Sequence, residues 1–308
     1  MNQELNQPRE IAFGYSTRCN IKCDHCVAAD GSPGAEKMDF FRAKEIIEEM
    51  AAAQVTGISF TTGEPLILMD DICGLIRVCR QKRIYTRVVT NGFWADTPDL
   101  ADKMIFALIE SGLSQLRIST SRWHQEHINR VNIVHAAEGC EKYGLDYFVS
   151  FITDFLEADD MIEQFLQDNH LRYFPEPMIY FGRADQFDRD RISTDYFPNT
   201  CPMNAYVSPN QDMYSCCDAA NHFSETGFLY LGNMEQEPVS ELFQKKEEHP
   251  IYQLIRTMGL TPMASYLGYK AREIVQYRKC ELCEILFNSK DNLKKLEQSL
   301  DGLLNRRR

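Results

Sequence analysis

Strand-like and helix-like runs alternate along most of this chain, and that alternation leaves few folds open to it. The strand-like runs begin near Ile11, Gly57, Tyr85, Gln115, Leu145 and Leu171. From the second onward they recur every 26 to 30 residues, with helical patterns such as Phe41 to Ala53, Asp99 to Glu110 and Asn129 to Tyr143 between them. A crossover of that length returns the next strand in the same direction, so the expectation is an α/β chain with a parallel sheet and helices outside it. Hydrophobic content of 44% supports a sizeable core. No apolar run approaches the roughly 18 residues of a membrane span.

Charge and cysteine usage narrow the function. A net charge of −12, from 33 basic and 45 acidic residues, argues against nucleic acid as partner. The polar opening Met1 to Gln7 is no signal peptide, so the expected place is the cytoplasm. In a reducing compartment eleven cysteines suggest metal rather than disulfides.

Cys19, Cys23 and Cys26 follow the first strand in the spacing C-x3-C-x2-C. Three thiolates so close can hold three corners of an iron–sulfur cluster and leave one iron without a protein ligand. An open coordination position is where a metal does chemistry. Zinc is the competing reading, but it wants four ligands, and a knuckle using His25 between Cys23 and Cys26 would be crowded.

Downstream segments carry a resemblance. Val55 to Phe60 runs into Thr61-Thr62-Gly63-Glu64-Pro65, Arg87 to Gly92 ends in Thr-Asn-Gly, and Leu116 to Ser119 ends in hydroxyl residues. In this order and spacing the chain resembles the radical S-adenosylmethionine superfamily. The resemblance implies a partial (β/α)6 TIM-like barrel over residues 1–195, a 4Fe-4S cluster on Cys19, Cys23 and Cys26, and S-adenosyl-L-methionine (SAM) on the open iron. It places Gly63 and Glu64 at the cofactor amino group, Asn91 and Ser119 at neighbouring strand ends, His25 against adenine, and Arg183 as a candidate for the cofactor carboxylate. Reductive cleavage of SAM to a 5′-deoxyadenosyl radical, fed by a flavodoxin- or ferredoxin-type reductant, would follow. Thr62 stands where the family pattern has glycine, which is tolerable if that position does not require positive φ.

The pattern changes near residue 195. Turn-rich Thr194 to Thr200 leads to Cys201-Pro202, then a hairpin from Ala205–Ser208 through Pro209-Asn210-Gln211 to Met213–Ser215, then Cys216-Cys217, and later Cys280-x2-Cys283. This resembles the auxiliary cluster domain of the shorter SPASM or "twitch" type, over residues 196–308 with a closing helix marked by Leu293, Leu296, Leu300 and Leu303. Cys201, Cys216, Cys280 and Cys283 would ligate a second, auxiliary 4Fe-4S cluster, with zinc on the same four as the alternative. Cys217 is then spare: either the better ligand of the adjacent pair, or a free thiol facing the substrate.

The combined motifs most resemble the epipeptide-type epimerases of ribosomally synthesised peptides. The matching stretches include Ser16 to Cys19, Cys23 to Cys26, Thr90 to Trp94, Ile118-Ser119 with His124, Pro177 to Ile179, Gly182 to Ala184, and Leu286 to Ser289. The resemblance implies Cα inversion of a precursor peptide, with Cys217 giving the second hydrogen atom. Radical peptide cross-linking and small-molecule dehydrogenation are the alternatives. Thr62 and Met203-Asn204-Ala205 depart from the epimerase pattern. With no room for a recognition domain ahead of Ile11, any leader peptide would be held by the barrel or the second domain. Cys73, Cys79 and Cys140 read as core thiols, His124 and His127 as lining the barrel mouth or capping a helix, and Arg306 to Arg308 as a solvated tail.

Overall fold

Six parallel strands form the first part of the sheet: β1 (Arg9–Gly14), β2 (Val55–Thr61), β3 (Tyr85–Thr90), β4 (Gln115–Thr120), β5 (Asp146–Thr153) and β6 (Tyr173–Pro177), each paired with the one before. The computed structural model describes residues 9–28, 36–187, 201, 203–218, 229–274 and 279–305. The turn-rich Thr194 to Thr200, Pro202, Met1 to Gln7 and the arginine tail lie outside them. Helices α1 (Phe40–Ala52), α2 (Met69–Gln81), α3 (Pro98–Ser111), α4 (Arg122–Gln125), α5 (Val131–Tyr143) and α6 (Asp160–Asp168) connect the strands. The expected α/β, TIM-like barrel architecture is present.

Local chemistry sets the helix ends. The Asp39 side chain caps α1 by accepting from Phe41 N and Arg42 N. Thr97 caps α3, with Pro98 at its first position and Gly112 closing it at φ 99°. Residues on the outer face of each strand, such as Ile11, Phe13, Ile58, Phe60, Val88, Leu116 and Ile118, are buried under the helices. Each contributes on the order of 1.5–3 kcal/mol. The inner face reads differently: Ala12, Ser59, Arg87, Arg117, Ser119 and Phe148 are only half-buried. Period-two alternation has therefore made one dry face and one open lumen.

Among the described residues the sheet does not close on itself. Strand β7 (Ala205–Val207) pairs parallel with β1, and β8 (Asp212–Tyr214) and β9 (Tyr230–Asn233) follow antiparallel, giving the order β6-β5-β4-β3-β2-β1-β7-β8-β9. The expected hairpin after Cys201 is thus the extension of the barrel sheet. Beyond it come α7 (Val239–Glu248), α8 (Pro250–Met258), α9 (Leu260–Tyr266), α10 (Ala271–Ile274), α11 (Lys279–Phe287) and α12 (Lys290–Asn305). Arg42 ties α1 to this part by donating to Gln211 Oε1 (2.8 Å) and Met234 O (2.8 Å).

Candidate active site

Loops at the C-terminal ends of β1 to β4 converge on one cavity of about 120 Å³. Its wall includes Cys19, Cys23, His25 and Cys26 from the loop after β1, Gly63 and Glu64 after β2, Asn91 after β3, Ser119 on β4, and Arg183. All the residues expected at the first cluster and its cofactor are therefore brought together. Burial and the neighbouring sulfurs push the Cys23 thiol up to about 12, so a cation is needed to hold it as a thiolate.

Gly63 explains how the cradle closes. It adopts φ 62°, and a Cβ there would lie 2.8 Å from the Thr17 carbonyl carbon and nearer still to the Arg18 carbonyl oxygen. Only glycine fits that approach. Glu64 N then donates to Arg18 O at 2.7 Å, locking the β2 loop onto the cysteine loop. The Glu64 carboxylate is 2% exposed and accepts from Leu66 N (3.1 Å), the Thr90 hydroxyl (2.8 Å) and Asn91 N (2.7 Å). Burial outweighs these bonds and raises its pKa to about 7. A buried carboxylate beside an open cavity suits a cationic ligand, and the three-thiol set beside it suits an iron–sulfur cluster with one free corner; the residues present fit both groups.

One expectation is corrected here. Thr62 was tolerable only if its position did not need positive φ, yet it sits at φ 71°, in the left-handed region that β-branched residues avoid. The buried Thr62 hydroxyl donates to the Tyr206 hydroxyl of β7 at 3.2 Å, a partner 144 residues away. Neither residue's part was visible in the sequence, and Thr90, which joins Glu64 to the Trp94 indole (3.0 Å), was missed as well.

Histidines complete the wall. The His25 ring stacks on Trp123 (centroids 4.7 Å) and meets His124 edge-on (4.8 Å). Trp123 lies under Arg122 at 3.9 Å, and Arg122 is fixed by Asp154 (2.9 Å) and Asp159 (2.8 Å). Buried His25 Nδ1 has no hydrogen-bond partner among the described residues. His124 Nδ1 lies 2.7 Å from Ser121 Oγ, whereas His127 Nε2 reaches Lys22 O outside the cavity. Donor atoms of Cys23, His25 and His124 lie within 4.8 Å of one another, so a single metal ion could be held there as well. Arg183 Nε donates to Cys23 O at 2.8 Å, and Asn91 Nδ2 donates to Asn20 Oδ1 at 2.9 Å. Both side chains thus brace the cysteine loop as well as facing the cavity.

The second cysteine group divides in two. Cys201, Cys216, Cys280 and Cys283 line one small apolar cavity of about 20 Å³, with Cys280 and Cys283 a turn apart on α11. That donor set fits a fully ligated cluster. Cys217 instead lines the lumen, a chamber of about 260 Å³ that shares Ala28, Thr61, Thr62 and Val89 with the cofactor cavity. Its sulfur lies 3.4 Å from Asp218 Oδ1. Cys73, Cys79 and Cys140 are buried on α2 and α5, and the inward Leu296 of α12 is buried as a packing residue.

The Radical SAM superfamily model matches residues 14–168. YydG of Bacillus subtilis (strain 168), whose name attributes it to peptide biosynthesis, is 22% identical over 223 residues, 69% of this chain and 70% of that protein. Among solved structures, anSMEcpe with bound AdoMet superposes with a TM-score of 0.57 at 15% identity, covering 78% of this chain and 82% of that one. BtrN in complex with AdoMet and 2-DOIA gives 0.53 at 16% identity, covering 81% and 87%. These two show the shared fold.

Proposed function

Since the chain belongs to the radical SAM superfamily, we propose that it inverts an α-carbon in a ribosomally synthesised precursor peptide, turning an L residue into a D residue. The observation that carries this reading is the place of Cys217: it faces the chamber that adjoins the cofactor cavity, while its neighbour Cys216 faces the other thiols. The name of YydG supports a peptide as substrate.

In this reading Cys19, Cys23 and Cys26 would hold a 4Fe-4S cluster, and Gly63, Glu64, Asn91, Ser119, His25 and Arg183 would hold SAM. When bound, that pair supplies a carbon radical that removes hydrogen from an unactivated C–H bond. The chain's residues do the rest. The Glu64 carboxylate would neutralise the ammonium of the cofactor, and His25, backed by the stacked Trp123, would present a flat surface to its base. Thr61, Thr62 and Val89, which line both cavities, would hold the peptide α-carbon at the boundary with the cofactor cavity. Once planar, that carbon receives the Cys217 hydrogen on its other face. The sulfur radical left on Cys217 takes one electron and one proton to return to the thiol. A flavodoxin- or ferredoxin-type reductant is the class that would supply the electron, and Cys201, Cys216, Cys280 and Cys283 would hold an auxiliary cluster able to relay it.

The test is an anaerobic assay in D₂O with candidate precursor peptides, read by mass spectrometry. Inversion adds one deuterium, because the Cys217 S–H exchanges with solvent, and leaves the mass unchanged in ordinary water. Loss of two hydrogens instead would assign cross-linking or dehydrogenation. Cys217→Ala should keep SAM cleavage and lose deuterium uptake; undiminished uptake refutes its donor role.

A further inference from the structure

The lumen face carries charge that hydrogen transfer does not use. Strands β3 and β4 each turn an arginine inward, Arg87 and Arg117, and both border the chamber that contains Cys217. Phe148 of β5 stands by both, its ring centroid 5.8 Å from the Arg87 guanidinium carbon and 5.6 Å from that of Arg117. What balances the two cations differs. Arg117 is ion-paired with Glu176 of β6 and donates to Ser150 Oγ at 2.9 Å. Arg87 donates from Nε to the neutral Gln115 side chain at 2.5 Å. Among the described residues it makes no ion pair, and its terminal nitrogens have no hydrogen-bond partner. The other acids on the chamber wall do not supply one. Asp218 stands 4.0 Å from Lys279, and Glu10 is exposed on β1, its side chain lying over Gly57, two residues nearer the strand starts than the Ser59–Arg87 pair.

A guanidinium held at Nε and flanked by an aromatic ring offers its remaining edge as a two-pronged donor, the geometry that suits a carboxylate. We propose that Arg87 anchors a carboxylate of the peptide substrate, either an acidic side chain or the C-terminus, inside the chamber that contains Cys217. This rests on the reading of that chamber as the peptide site. A substrate held there presents its modified residue toward Thr61, Thr62 and Val89 and its carboxylate toward the strand starts, which fixes direction as well as depth.

The test is a binding selection on iron-loaded enzyme with SAM present. The probe is a random library of N-acetyl heptapeptides in two halves, one with C-terminal amides and one with free acids, and retained peptides are sequenced by mass spectrometry. An acidic side-chain anchor enriches Asp or Glu over Asn and Gln about tenfold among the amides. A terminal anchor retains acids over amides by a similar factor. Equal retention of neutral amides, or no retention above a blank support, overturns the proposal. Arg87→Gln should abolish the preference while iron content and SAM binding stay at wild-type values; a preference that survives places the carboxylate elsewhere. Should Arg87→Gln fail to load iron, Arg87→Lys keeps the charge without the fork and should show a reduced preference, and an undiminished one overturns the assignment. Because the readout is binding, absence of deuterium uptake would remove the epimerase reading and leave this result standing, and the reverse holds too.

Discussion

The Thr62 hydroxyl meets the Tyr206 hydroxyl at 3.2 Å, so a residue of the first added strand holds the loop that we propose cradles the cofactor amino group. Thr62 at φ 71° costs on the order of 1–2 kcal/mol, and something must retain it there. Tyr206 is suited to that, being 7% exposed and stacked on Tyr214 at 6.0 Å. Tyr206→Phe removes a bond worth about 1 kcal/mol, and the expected result is SAM affinity weakened by about fivefold in calorimetric titration. In a Thr62→Gly background the same change should have little effect, because glycine adopts the conformation unaided. Equal loss in both backgrounds would assign Tyr206 some other task.

Two glycines with similar dihedrals should respond differently to alanine. Gly63 (φ 62°) has backbone within 3 Å of an added Cβ, whereas the first atom met at Gly92 (φ 75°) is a side-chain methyl of Ile118 at 3.5 Å. Gly92→Ala therefore pays conformational strain alone, on the order of 1 kcal/mol, and should keep SAM binding. Gly63→Ala must part the β2 loop from the cysteine loop. The expected outcome is loss of SAM binding and of the first cluster's iron, read by titration and metal analysis.

This contrast also marks what the sequence can tell. The six strands were legible because their outer residues alternate with lumen residues such as Ser59, Arg87 and Arg117, and the period is local. Cys19, Cys23 and Cys26 were legible because a cluster loop needs its donors close in sequence. The bond from Thr62 to Tyr206 joins positions 144 residues apart, and no local pattern encodes it. Helices α7 to α10 escaped notice because residues 239–274 carry no motif and their apolar positions are set by tertiary packing, α7 against α1 and β9, and α8 and α9 against each other and the C-terminal helices. Cys216 and Cys217 were indistinguishable as letters, since adjacent side chains part only when the backbone after β8 is fixed.

Glu64 sets a pH dependence. Its carboxyl has a folded pKa of about 7, above its ordinary 4.5, because burial disfavours the charged form. Between those values the folded state binds the extra proton, so this group's contribution to stability is present below pH 4.5 and is lost as pH rises to 7. Thermal melts of the cofactor-free protein should show that loss, and Glu64→Gln should flatten it. An ammonium bound beside Glu64 favours the carboxylate, so SAM binding should release a proton near pH 7 and tighten as pH rises through it. Calorimetry in buffers of different ionisation enthalpy reads the proton directly.

The adjacent cysteines after β8 should separate by metal content. Cys216 lies with Cys201, Cys280 and Cys283, while Cys217 lines the lumen, so the two alanine variants should differ in kind. Cys216→Ala removes one of the four candidate ligands, and is expected to lose about four irons per chain after anaerobic reconstitution. Cys217→Ala should retain the full complement and the same visible absorption. Loss of iron from Cys217→Ala with retention in Cys216→Ala would exchange their roles, and the thiol available to the lumen would then be Cys216. Chelation of the second site should leave SAM binding at Glu64 intact, because the two cavities have no lining residue in common.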